Sequence, residues 1–84
     1  MYYIYFAESL RNGKIYVGFT EKLPNLRVKE HNESSNKWSR NNKPLKLSYY
    51  ETYSCKEDAV HREDFFKTGI GKKIKKAIVE TMRA

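Results

Sequence analysis

Residues 2–18 read Tyr2-Tyr3-Ile4-Tyr5-Phe6-Ala7-Glu8-Ser9-Leu10-Arg11-Asn12-Gly13-Lys14-Ile15-Tyr16-Val17-Gly18, and their reading decides the fold. Tyr2 to Glu8 is dense in β-branched and aromatic side chains, which suit a pleated, half-buried surface. Lys14 to Gly18 repeats that chemistry after Leu10-Arg11-Asn12-Gly13. An Asn-Gly step between two such runs is the strongest short-range hairpin signal, because both residues tolerate the positive φ of a tight turn. A sheet is therefore the nucleus of the fold.

Working outward, Pro24 suits the first turn of a helix running to about Asn32. Residues 33–44, with Ser, Asn, Lys and Arg around Trp38 and Pro44, read as a basic surface loop. Leu45, Leu47, Tyr49, Glu51 and Tyr53 alternate with Lys46, Ser48, Tyr50 and Thr52, which predicts a third strand with one mostly apolar face. Ser54 and Glu57 have the spacing of a capping box, opening a helix from Cys55 to Thr68 that ends at Gly69. Ile70, Ile74, Ala77, Ile78 and Thr81 line one side of a last helix, with Lys72, Lys73, Lys75, Lys76 and Arg83 elsewhere around it. The expected architecture is α+β, a three-stranded antiparallel sheet flanked by helices in the order β-β-α-β-α-α, one domain over residues 1–84. No internal repeat or linker interrupts it.

Composition narrows the class. The 84 residues include seven Tyr, four Phe and one Trp, enough for a packed core and against disorder. So short a chain buries a modest share of its surface, so modest stability is expected. Cys55 is the single cysteine, which excludes an internal disulfide and a thiolate metal cage and suits a reducing cytoplasm. The N-terminus lacks the basic region and length of a signal peptide, and no apolar run approaches the roughly 20 residues that span a bilayer. The expectation is a soluble cytoplasmic protein without a membrane partner. Seventeen Lys and Arg against ten Asp and Glu leave +7. Such a field attracts phosphate polymers and releases their counterions, although a basic balance also serves solubility. The expected nucleic-acid contacts are Lys14, Lys37, Arg40, Lys43, Lys72 and Lys73, with Trp38 either stacked on a base or capping the core.

Three groups of residues stand out as candidates for chemistry. Glu63 shares the apolar stripe of its helix with Ala59, Val60 and Phe66, and a desolvated carboxylate needs a metal or a cation. It either holds one or reaches water from the edge of the stripe. Arg27 and His31 lie four apart and project side by side. A guanidinium fork beside an imidazole can hold a phosphate and move a proton, and the same pair can equally decorate a solvated face. Tyr3 and Tyr5 share a hairpin face with Tyr16 on the partner strand. Their hydroxyls can meet a phosphate or its water, and aromatic cross-strand pairs also simply stabilise sheets. His61 has no such neighbour and is expected at the surface.

Tyr3-Ile4-Tyr5 followed by Tyr16-Val17-Gly18 resembles the paired signature of the GIY-YIG nuclease superfamily, in its small, stand-alone prokaryotic form. The resemblance extends through Arg27, Glu30-His31-Asn32 and Arg62-Glu63, and Leu45 to Glu51 looks like the central strand of that fold. Tyr3 replaces the first Gly and Val17 the middle Ile. The Asn that many members carry after the metal Glu is absent, leaving Thr68 or Lys72 as substitutes. The resemblance implies a divalent-metal-dependent endonuclease cutting phosphodiester bonds, of DNA in preference to RNA. It implies that Glu63 holds one Mg²⁺ or Mn²⁺ ion and that Arg27 neutralises charge on phosphorus. It also implies that Tyr16, Tyr5 or His31 takes the proton of the attacking water. Two alternatives keep the same residues: a catalytically inactive DNA- or RNA-binding module, and a protein-interaction domain using the Tyr-rich sheet.

Overall fold

The strand β1 (Tyr2–Ser9) is the centre of the structure, with Ile4, Tyr5, Phe6 and Ala7 buried on both of its faces. The computed structural model describes residues 1–34 and 36–83; Ser35 of the expected loop and Ala84 lie outside them. β1 pairs antiparallel with β2 (Ile15–Thr20) on one side and with β3 (Leu45–Tyr53) on the other, giving the order β2-β1-β3. The remaining elements are α1 (Pro24–Glu33), α2 (Lys37–Asn42), α3 (Lys56–Phe66) and α4 (Gly69–Arg83). At the hairpin, Gly13 takes φ +76°, the left-handed conformation for which glycine is suited, and the Asn12 side chain accepts from Lys14 N–H at 3.0 Å. The fold class is the expected one. The middle strand is not: β1, buried along its length, takes the place expected of Leu45 to Glu51, and β3 is an edge.

A single extra residue reorganises β3. The register with β1 passes from Phe6↔Tyr49 to Ala7↔Leu47, so Ser48 is unpaired and the strand carries a bulge. One inserted residue exchanges the faces of everything beyond it. Leu45 and Leu47 consequently pack with Tyr5, Ala7 and Val28 on the α1 side. Tyr49 and Tyr53 pack with Ile4, Phe6, Ala59, Phe66 and Val79 on the α3–α4 side. The single apolar face expected of this strand is therefore two half-faces. On the α3–α4 side Glu51 accepts from Arg62 Nε and Nη2, at 2.9 and 3.1 Å, and from the hydroxyls of Tyr49 and Tyr53, both at 2.6 Å. Arg62 in turn lies over the Phe66 ring at 4.4 Å. This network fastens α3 to the sheet.

The other departures have local causes. The expected basic loop contains α2, a six-residue helix that the Asn36 side chain caps by accepting from Ser39 N–H at 2.9 Å. Asn32 clamps the following chain through Leu45, donating to its carbonyl and accepting from its N–H. The capping box does not form: Cys55 is the N-cap of α3, and its thiol donates to Glu57 at 3.0 Å. Helix α3 stops at Phe66 and not Thr68, because α4 must cross its end closely. A Cβ on Gly71 would lie 1.7 Å from the Phe65 carbonyl oxygen. That contact also sets the rotation of α4, which buries Gly71 and Val79 and packs Ile78 on the core. Ile70 and Ile74, expected on the buried side with Ala77 and Thr81, are 69% and 40% exposed, and Ala77 and Thr81 are exposed as well. Among the described residues no helix is long and apolar enough to cross a membrane.

Candidate active site

The hairpin register places Tyr5 opposite Gly18 and Ala7 opposite Tyr16, so Tyr5 and Tyr16 share the α1 face with Gly18 between them. Both rings lie over that glycine. A Cβ there would be 2.5 Å from Tyr5 Cζ and Oη and 2.7 Å from Tyr16 Cε1, so the position admits no side chain while the tyrosines stay in place.

Helix α1 supplies the partners. Val28 packs into the sheet, and one turn around from it His31 is 6% exposed, with Tyr5 Oη 2.7 Å from its Nε2. Tyr5 itself is 1% exposed. Burial first, and then the Arg27 guanidinium, push the His31 pKa down, so the imidazole is neutral near pH 7. Burial also pushes the Tyr5 hydroxyl well above its ordinary range, with the neighbouring Tyr16 adding to the rise. Tyr5 therefore stays a protonated phenol that shares a hydrogen bond with Nε2, the direction following the imidazole tautomer, while Nδ1 faces Ser39 Oγ at 3.5 Å. Tyr16 packs edge-on to His31 at 5.1 Å and against Trp38 at 5.3 Å, and is only half-buried. Of the three expected proton acceptors, Tyr16 is the one open to solvent.

Arg27 is half-exposed and close enough to both Tyr5 and His31 to influence their protons. Its Nη1 donates to Glu30 at 3.2 Å, and Glu30 also takes Lys22 at 2.6 Å. Arg27 opens onto a broad depression of about 780 Å³ running past Thr20, Lys22 and Lys56. Glu63 approaches from α3 at the free edge of β2. It lines a narrower cleft of about 260 Å³ with Tyr16, Trp38, Lys67, Lys72 and Lys75. Its side chain is 21% exposed, and its nearest cation is Lys67 at 3.9 Å. Among the described residues no cluster of three or more His, Cys, Asp or Glu side chains gathers in the manner of a metal cage. Glu63 carries no hydrogen bond among the described residues, and a lone carboxylate with free oxygens at a cleft wall fits a hard cation that keeps most of its water.

Tyr5, Tyr16, Arg27, His31 and Glu63 are therefore drawn from β1, β2, α1 and α3 to one region. The expected nucleic-acid contacts divide. Trp38 and Lys72 line the cleft; Trp38 both packs on Tyr16 and forms the wall, so the two readings of it are not exclusive. Lys37 and Arg40 are exposed on α2, Lys14 is exposed beside the hairpin turn, and Lys43 is half-buried at the C-cap of α2. Lys73 is exposed, one residue and about 100° around α4 from Lys72. His61 is at the surface, as expected. Thr68, a substitute for the absent Asn, is occupied otherwise. Its hydroxyl donates to Phe65 O at 2.7 Å and accepts from Gly71 N–H at 3.0 Å. The sequence offers Lys75 only as one of several basic residues of the last helix, and it does not point to Lys67. Lys67 was recoverable as the i+4 neighbour of Glu63, whereas Lys75 depends on the rotation of α4.

Residues 1–76 match a family described as the GIY-YIG catalytic domain. A UPF0213 protein of Bacillus licheniformis is 34% identical over 80 residues, covering 94% of this chain and 80% of the relative. A UPF0213 protein of Staphylococcus epidermidis is 36% identical over 58 residues, 68% of this chain and 70% of the relative. The UPF0213 protein YazA of Bacillus subtilis is 28% identical over 82 residues, 96% of this chain and 81% of its own. No solved structure matches.

Proposed function

The chain belongs to the GIY-YIG catalytic domain family, and from that premise we propose that it is a divalent-metal-dependent endonuclease hydrolysing phosphodiester bonds of nucleic acid, DNA in preference to RNA. The observation that carries this reading is the grouping of Tyr16, Arg27, His31 and Glu63, distant in sequence, about the Tyr5 hydroxyl: His31 is bonded to it, and Tyr16, Arg27 and Glu63 are close enough to influence its proton.

Glu63 would hold one Mg²⁺ or Mn²⁺ ion, whose chemistry is Lewis-acid stabilisation of the leaving oxygen. The remaining work falls to the protein's own side chains. Arg27 presents its fork to the scissile phosphate and offsets the charge that grows on its oxygens, releasing Glu30 as it does so. Tyr16 Oη meets the attacking water. As the water's proton arrives, Tyr16 passes its own inward to the Tyr5 hydroxyl. Tyr5 simultaneously gives up its own proton to His31 Nε2, so the net proton rests on the imidazole. A neutral His31 is required for this, and burial supplies it.

The test is incubation with duplex, single-stranded, flapped and branched DNA and with RNA, with and without Mn²⁺. Metal-dependent cleavage of DNA is expected. Tight, salt-sensitive binding without cleavage would replace the enzyme with a binding module on the same fold, and weak binding throughout would favour a protein-interaction domain.

A further inference from the structure

The cleft beside Glu63 has more cations than its carboxylate accounts for. Lys72 and Lys75 are three apart on α4, so they project from one face, and both line this cleft opposite Tyr16 and Trp38. Neither lies within 4 Å of a carboxylate among the described residues; Glu63 is the one acid among the lining residues, and its ion pair is with Lys67. Lys75 is half-buried, and burial, then the charge of Lys72, push its pKa down. Two like charges held together at a partly desolvated wall are unfavourable without an anion between them. The rotation that puts them there is enforced by the Gly71 crossing, and it leaves apolar Ile70 and Ile74 in solvent.

We infer that Lys72 and Lys75 form a second phosphate subsite, which takes a backbone phosphate of the same strand next to the one cut at Glu63, with Trp38 as the wall for the adjoining nucleotide. This deepens the nuclease reading and rests on it for the word "cut". The subsite fixes the strand's register: it makes the substrate a polynucleotide, since a free phosphate engages one subsite alone.

The experiment is fluorescence anisotropy of labelled DNA, duplex and single-stranded, with the full chain in chelator, as a function of salt. Lys72→Ala/Lys75→Ala is set against Lys29→Ala/Lys46→Ala, which removes the same charge from two exposed positions. Thermal melts verify that both pairs fold. The cleft pair is expected to lose about tenfold in affinity and about one to two units of log–log salt slope, as for one or two phosphate contacts. The exposed pair is expected to change less than about twofold. Inorganic phosphate as competitor should displace DNA only weakly from the wild-type chain. Equal losses in the two pairs, or none in the cleft pair, would overturn the subsite, as would full displacement of DNA by equimolar phosphate. Because the readout is binding without metal, a chain that binds this way yet never cleaves would refute the nuclease reading while the subsite stands.

Discussion

Replacing Gly18 with Ala tests how tightly the active-site hydroxyls are built into the sheet. The new Cβ would meet Tyr5 Cζ and Oη at 2.5 Å and Tyr16 Cε1 at 2.7 Å, where carbon contacts normally settle at about 3.5–4.0 Å. The Tyr5 ring must therefore move by about 1 Å or more. It has no easy route, because it is 1% exposed and its hydroxyl is bonded to His31 at 2.7 Å. Overpacking of this kind costs about 1–3 kcal/mol. Losing the buried hydroxyl–imidazole bond adds about 1 kcal/mol. The sum, about 2–4 kcal/mol, is a large part of the stability of so small a domain. At about 4–8 °C per kcal/mol, the melting temperature should fall by at least about 8 °C. Tyr5→Phe in the same background relieves the contact at Oη but leaves the one at Cζ, so the double variant should recover only part of the loss. Thermal melts of the wild type, Gly18→Ala, Tyr5→Phe and the double variant decide this. A Gly18→Ala variant melting within about 2 °C of wild type would show that the tyrosines are free to move, and the relay from Tyr16 to His31 would lose its structural basis.

Other outcomes follow from the same geometry. Arg62→Ala leaves the half-buried Glu51 with only its two tyrosine donors and should cost about 2–3 kcal/mol, below the ~3–5 of a fully buried pair; an unchanged denaturation midpoint would refute the fastening role. Burial acts to raise the Glu51 pKa, but the hydrogen bonds from Arg62, Tyr49 and Tyr53 outweigh it and hold the pKa down. Its stabilisation should accordingly be complete above about pH 4.3 and fade as pH falls through the lower folded value, a dependence that Glu51→Gln should flatten. His31 is also depressed, so the unfolded chain binds its proton more readily. Stability should decline as pH drops below about 6.5 until the folded ring titrates, and His31→Gln should remove that slope. Arg27→Lys keeps the charge and loses the fork, so kcat should fall by about 10²-fold or more with KM nearly unchanged. Equal losses in kcat and KM would make Arg27 a simple phosphate anchor.

What could be read from the sequence is what local chemistry determines. Asn12-Gly13 between two aromatic runs announces the hairpin, Pro24 the start of α1, and the i,i+4 spacing of Arg27 and His31 their common face. Glu63 stands out because a carboxylate on an apolar stripe needs a reason. The rest depends on contacts between distant segments. Ser48 enters the bulge without altering the alternation of Leu45 to Tyr53 as written, so the exchange of faces is invisible until β3 pairs with β1. Helix α2 is too short to show a helical period and relies on the cap from Asn36. The rotation of α4, and with it the place of Lys75 in the cleft, is set by Gly71 against the backbone of Phe65, a contact that a periodicity argument misassigns to Ile70 and Ile74.

The central claim is that Glu63 is present for chemistry and not for stability. Its carboxylate has no hydrogen bond among the described residues and faces Lys67 at 3.9 Å, with Lys67 63% exposed. A pair this open contributes about 0–1 kcal/mol. The direct measurement is Glu63→Gln, melted in chelator and assayed for DNA cleavage in Mn²⁺ beside the wild-type chain. A melting temperature within a few degrees of wild type and no cleavage are expected. Retained cleavage by the folded variant, or a collapse of its melting temperature, would contradict that claim.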